Sequence, residues 1–105
     1  MPPDIHRLRK HFEDNDYLFT AHASERAAER GIRSREIEEA IATGLLIEDY
    51  PDDKYGPSCL IMGKTAAGRV LHVQTSYPPN VKIITVYQPS SDKWESDWET
   101  RKRDE

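Results

Sequence analysis

The hydrophobic positions of the chain follow two periods in turn, a helical one up to Gly44 and an alternating one after it. Ile5, Leu8 and Phe12 recur at i, i+3 and i+7 behind Pro2 and Pro3, which predicts a short helix over residues 5 to 14. Tyr17, Leu18 and Phe19 form an apolar entry to a second helix from Ala21 to about Arg30. Thr20 is placed to cap it, Ser24 competes for that role, and Gly31 ends it. Ser34 is expected to cap a third helix, with Glu36 in its first turn, Ile37, Ala40 and Ile41 on one face and Gly44 just past its end.

Four strands are predicted after Gly44: LLIEDY (45–50), SCLIMGK (58–64), RVLHVQTS (69–76) and VKIITVY (81–87). A Pro/Asp/Gly loop from Pro51 to Pro57 and the turn Tyr77-Pro78-Pro79-Asn80 lie between them, and such short links imply antiparallel neighbours. If Ser76 pairs with Val81, then His72 faces Thr85, Gln74 faces Ile83 and Val70 faces Tyr87. Leu71, Val73, Ile84 and Val86 then turn to the opposite side, against the helix of Ile37, Ala40 and Ile41. The mixed side, with His72, Gln74, Thr85 and Tyr87, is expected to stay partly open to solvent. Trp94 and Trp98, at i and i+4 among charges, predict a docked helical turn within Asp92 to Glu105. The expected fold class is α+β, with N-terminal helices packed on a four-stranded antiparallel sheet. Residues 1–16 are read as an N-terminal extension, 17–90 as a single domain and 91–105 as a tail.

At 105 residues the chain has room for one core. Charged residues make up 32%, so part of the charge is assigned to solvated ends rather than to the packed body. The longest apolar runs, Cys59 to Met62 and Ile83 to Val86, fall far short of the roughly 20 residues that span a bilayer. The basic N-terminus is not followed by an apolar segment of signal-peptide type, and the expected location is cytoplasmic. Cys59 stands alone in an apolar stretch and reads as a buried core thiol. A net charge of −4 argues against coating of nucleic acid by bulk charge, but Arg26, Arg30, Arg33 and Arg35 crowd into ten residues. A local basic site is compatible with that segregation.

Three groupings could carry chemistry. In AHASERAAER, His22, Arg26 and Arg30 stand at i, i+4 and i+8, drifting by only about 40° per step around a helix. Such a row suits an anionic substrate, because Arg grips phosphate and His moves protons near neutral pH. The alternative is a solvated face in which Glu25 and Glu29 pair with the arginines. The second grouping is His72 with Thr85 and Tyr87, joined by Lys82 or Arg69 at the rim, against the reading of a half-buried histidine bonded to a neighbour. The helix row and the sheet group form one site only if His22 sits at the sheet edge. The third, Asp49, Asp52 and Asp53 around YPDDKYGPSC, lacks the spacing of a calcium loop and reads as a solvated, proline-stiffened loop. Ligation by His6, His11, His22 or His72 has no motif behind it, and neither metal nor cofactor is expected.

The blocks HASERAAERGI, EIEEAIATG, EDYPDDKYGPSCLIMG, GRVLHVQTS and IITVYQPSSDKW, in this order over roughly residues 17 to 103, resemble the family called domain of unknown function 4258. That family is similar to the RelE and BrnT toxins of bacterial toxin–antitoxin systems, small antiparallel sheets preceded by helices and often found beside a zinc-finger antitoxin. The resemblance implies a metal-independent endoribonuclease that cleaves mRNA by turning a ribose 2′-hydroxyl on the adjacent phosphate. It carries His22, Arg26, Arg30, His72, Thr85 and Tyr87 into the site: a histidine as general base or acid, the arginines on the phosphate, and Tyr87 orienting or donating a proton. The implied partners are an RNA substrate and a zinc-finger or DNA-binding antitoxin. Two other readings stay open. One is a non-catalytic domain that binds an antitoxin or a second copy of itself through a sheet edge and the Trp94/Trp98 tail, and the other is a domain whose histidines are structural.

Overall fold

The computed structural model describes residues 3–54 and 56–102; Pro2 before the first helix, Tyr55 in the loop and the last three residues of the tail lie outside the described residues. In chain order the elements are α1 (Ile5–Glu13), β1 (Leu18–Phe19), α2 (Ala21–Glu29), α3 (Ser34–Thr43), β2 (Leu45–Tyr50), β3 (Ser58–Lys64), β4 (Val70–Ser76) and β5 (Lys82–Tyr87). Among the described residues no helix is long and apolar enough to cross a membrane.

Local chemistry accounts for the helix limits. The Asp4 carboxylate accepts the His6 N–H ahead of α1, and the Thr20 hydroxyl accepts the Ala23 N–H ahead of α2. The Thr20 hydroxyl lies 3.0 Å from the Ile83 carbonyl and donates to it, which ties the start of α2 to β5. Gly31, at φ 64°, follows the end of α2. For α3 the cap position belongs to Arg33 rather than Ser34, because the Glu36 carboxylate accepts the Arg33 N–H and fixes the entry there. At its far end, Arg9 of α1 donates to the carbonyls of Ile41 and Gly44, covering acceptors that the helix leaves open.

The sheet has five strands in the order β1-β5-β4-β3-β2 and is mixed: β1 runs parallel to β5, and the other pairs are antiparallel. This corrects the expectation of four antiparallel strands, since Leu18 and Phe19 are a strand and not only an entry to α2. Two residues are too few for a period-two pattern to register. The β4–β5 pairing is also displaced by two residues from the expected one, with His72 opposite Tyr87 and Gln74 opposite Thr85. A bulge after Gln74 supplies one residue of this shift, and the other arises at the turn, which is closed by the Ser76 side chain. Its hydroxyl donates to the Asn80 carbonyl and accepts the Lys82 N–H, closing the turn in place of a Ser76–Val81 ladder pair. An even displacement keeps His72, Gln74, Thr85 and Tyr87 on one face. The bulge also sets Ile83 opposite Thr75, so Ile83 enters the core and Ile84, expected there, is only half-buried.

The helices cover one face. Leu8, Phe12, Ala23, Ala27, Ile37, Ala40 and Ile41 pack against Cys59, Ile61, Leu71, Val73, Ile83 and Val86. Gly63 lets α3 lie directly on β3, since a Cβ built there would stand 1.9 Å from the Ala40 carbonyl oxygen. Cys59 is fully buried, and burial pushes its thiol up to about 11.

The other face is covered as well. Residues 93–102 fold back on themselves: Trp94 forms an antiparallel bridge with Arg101, Glu95 N–H donates to the Thr100 carbonyl, and Lys102 N–H donates to the Lys93 carbonyl. The expected helical turn is therefore a hairpin-like loop. The Asp97 carboxylate captures the N–H groups of Glu99 and Thr100, and Trp98 takes a positive φ of 60°, both of which divert the backbone from a helix. Trp94 is 3% exposed, with its ring centroid 4.3 Å from that of His72 at an interplanar angle of 89°. The mixed sheet face is consequently closed at its centre, and His72 is fully buried rather than partly open.

Candidate functional site

His72 lies mid-strand in β4, between Met62 of β3 and Tyr87 of β5. Its Nε2 is 2.6 Å from the Trp98 carbonyl oxygen and its Nδ1 is 3.2 Å from the Tyr87 hydroxyl. A carbonyl can only accept, so Nε2 carries the proton. Burial pushes the imidazole below its ordinary 6.5, against the opposing pull of the Trp98 carbonyl and the Glu48 carboxylate, while the Arg101 guanidinium acts in the same direction as burial. The ring is neutral at neutral pH, and Nδ1 offers a lone pair to the Tyr87 O–H. Burial also raises the Tyr87 phenol above its ordinary value, keeping it protonated as a donor.

A sign follows for stability. The unfolded chain takes up a proton on His72 near pH 6.5 while the folded chain resists it, so this residue destabilises the fold as pH drops below that value towards the lower folded one. Thermal melts between pH 7.5 and pH 5 are expected to fall more steeply for the parent protein than for His72→Gln. Parallel curves would show that His72 titrates normally.

Tyr87 opens onto a cavity of about 650 Å³ lined also by Arg30, Arg69, Lys93 and Arg101. None of its eight lining residues is acidic, the other three being Gln88, Ser90 and Trp94. Arg30, the C-cap of α2, donates through Nη1 to the Val86 carbonyl at 2.8 Å. That carbonyl lies on the part of β5 that β1 is too short to pair. Arg69 donates to the carbonyls of Arg30 and Gly31, covering the negative end of α2 that would otherwise repel an anion. Arg101 grips Glu48 through Nε and Nη2 at 2.8 and 3.0 Å and lies 4.7 Å over the Trp94 ring. Burial alone would raise the Glu48 carboxyl, but hydrogen bonds from Arg101 and the Tyr50 hydroxyl outweigh it and hold Glu48 below its ordinary range. Glu36 stands 3.4 Å from Arg69. Two of the four cations thus have carboxylate partners, and among the described residues Arg30 and Lys93 form no ion pair.

The structure brings His72, Tyr87, Arg30 and Arg69 together and leaves His22, Arg26, Thr85 and Lys82 outside. His22 is exposed in the first turn of α2, about 12 Å along the axis from Arg30, and does not line the cavity. Arg26 pairs with Glu29 at 2.9 Å, the solvated arrangement. Thr85 shares the face of His72 and Tyr87 but lies opposite Gln74, outside the cavity. Of the two rim candidates Arg69 is present and Lys82 is not, being at the opposite end of β5. In the acidic segment Asp49 accepts the Tyr77 hydroxyl and Asp53 the Ser58 hydroxyl. Sequence reasoning missed Lys93, Arg101 and Glu48. The turn-forming Ser96-Asp97 between Trp94 and Arg101 was the available signal for a hairpin, whereas nothing local points Arg101 at a carboxylate in β2.

The model of one family, described as Domain of unknown function (DUF4258), matches residues 19–88. No curated protein and no solved structure matches the chain. The matched segment holds Arg30, Arg69, His72 and Tyr87, while Lys93, Trp94 and Arg101 follow it. With more than half of its length under that match, the chain belongs to the DUF4258 family.

Proposed function

We propose that the protein is a toxin-like, metal-independent endoribonuclease of the mRNA interferase type, related in mechanism to the RelE and BrnT toxins of toxin–antitoxin systems. The observation that carries this reading is a buried, neutral His72 coupled to Tyr87 at the wall of a cavity with four cations. The 2′-hydroxyl gives its proton to Tyr87 Oη as Tyr87 passes its own to His72 Nδ1. The 2′-oxygen then bonds to phosphorus, the bond to the 5′-oxygen breaks, and that oxygen takes a proton from solvent. Arg30 meets the charge gathering on the phosphate. The products are a 2′,3′-cyclic phosphate and a 5′-hydroxyl. His72 is too deeply buried to touch RNA, so it acts through Tyr87. A cavity lining with cations and no acidic residue favours direct contact with the phosphate over a bridging metal.

Purified protein incubated with RNA in EDTA is expected to leave cyclic-phosphate ends, and Arg30→Gln to lower kcat/KM by about a hundredfold, the lower side of what a lost transition-state donor costs. Undiminished cleavage by Arg30→Gln would remove the phosphate role of Arg30.

A second reading, a non-catalytic domain that binds an antitoxin or another copy of itself, is favoured by Leu18 and Leu45. They are 66% and 51% exposed and lie on the two edge strands, where a partner strand would add. Absence of cleavage with and without ribosomes would select it.

A further inference from the structure

The cavity has two walls of different origin. Arg30 and Arg69 stand at the end of α2 and the start of β4, inside the family-matched segment, and Lys93 and Arg101 stand on the hairpin-like loop beyond it. Each wall carries one cation with a carboxylate partner and one without: Arg69 faces Glu36 and Arg101 grips Glu48, while Arg30 and Lys93 form no ion pair among the described residues. Arg69 is also held on the carbonyls of Arg30 and Gly31 and Arg101 between Glu48 and Trp94, whereas Arg30 commits Nη1 to the Val86 carbonyl and has no carboxylate partner among the described residues. The positive charge without a carboxylate partner is therefore shared between Arg30, inside the family-matched segment, and Lys93, on the loop beyond it. Gln88 adds a further donor. Its Oε1 accepts from Arg69 Nε at 3.0 Å, and since a guanidinium cannot accept, the amide NH₂ is turned away from Arg69.

We propose that the cavity is a two-phosphate site, in which Arg30 on one wall and Lys93 on the other hold consecutive phosphodiesters of a single nucleic-acid strand. The proposal rests on the ribonuclease reading for its substrate class and adds a backbone subsite supplied by the C-terminal loop. A single dianionic phosphate is the alternative occupant of matching charge. A volume of about 650 Å³ sits inside the range of roughly 300–1,000 Å³ usual for small-ligand sites. Lys93 is exposed and its backbone, not its side chain, holds the loop together, so changing its side chain leaves the hairpin intact.

Deoxyribonucleotide probes isolate binding from cleavage because they lack the 2′-hydroxyl. Thymidine 3′-monophosphate and the dinucleotide with one internal and one 3′-terminal phosphate are to be titrated into the full-length protein, its Lys93→Gln variant and its Arg30→Gln variant. The parent is expected to favour the dinucleotide, Lys93→Gln to lose about three- to fivefold on the dinucleotide while holding the monophosphate as before, and Arg30→Gln to weaken both. For a short oligothymidylate, the slope of log K against log salt should shrink by about 0.7 in Lys93→Gln, one phosphate contact. Equal affinity for both probes in the parent, or an unchanged salt slope in Lys93→Gln, would overturn the second subsite. A protein that binds the probes as described but cleaves no RNA would retain the two-phosphate site and lose the ribonuclease reading.

Discussion

Gly63→Ala is expected to lose about 3 kcal/mol or more of stability, the upper end of what overpacking costs, and to melt at least about 10 °C lower or fail to accumulate folded. The added Cβ would stand 1.9 Å from the carbonyl oxygen, 2.6 Å from the carbonyl carbon and 2.9 Å from the Cα of Ala40, all of them backbone. No side-chain rotation can relieve that contact. α3 must lift from β3, and with it Ile37 and Ile41 draw out of the core. Trimming the side chain at Ala40 to glycine should give no rescue, because the clash is with main-chain atoms. Gly31→Ala is the control: it has a positive φ of 64° but open space around it, and should cost only about 1 kcal/mol in conformational strain. Calorimetric melts of the two variants check the order. A Gly63→Ala protein as stable as Gly31→Ala would refute the contact of α3 with β3.

Tyr87→Phe is expected to reduce RNA cleavage by roughly 10²–10⁴, the contribution of a positioned acid or base, while the ring stays in place and the fold survives. His72→Gln should fall into the same range. The pair acts as one relay, so the double variant should be no slower than the worse single one. His22→Ala, by contrast, should keep full activity, as His22 is exposed and away from the cavity. Single-turnover rates on a defined RNA separate these cases. If Tyr87→Phe cleaves within a few-fold of the parent, or if His22→Ala is the inactive variant, the relay is not the catalytic device.

Local signals in the sequence reached the three helices, the four longer strands and the face on which His72, Gln74, Thr85 and Tyr87 stand. Thr20 and Gly44 bound their helices through chemistry confined to a few residues, and alternation fixes which side of a strand is apolar. What escaped depends on contacts between distant residues or on one side chain overriding the backbone. β1 is held by a parallel pairing between Leu18 and Lys82 that no short pattern encodes. The β4–β5 register turns on the bulge after Gln74 and the Ser76 hydroxyl, and the shape of the tail on the Asp97 carboxylate. For the site, His72, Tyr87 and Arg30 were visible as residues with suitable chemistry. The position of His22 outside the cavity was not, because it required knowing that the row on α2 meets the cavity only at its last member. Arg101 and Glu48 are 53 positions apart, and only the folded loop brings them together.

The buried thiol has a use in the laboratory. The chain contains a single cysteine, and Cys59 is wholly enclosed in the helix-side core with its thiolate form suppressed. Thiolate is the species that reacts with alkylating reagents, so labelling must wait for the sheet to open and bring the sulfur into water. The rate at which the native protein is alkylated is therefore a clock for excursions of the central sheet, with no probe introduced.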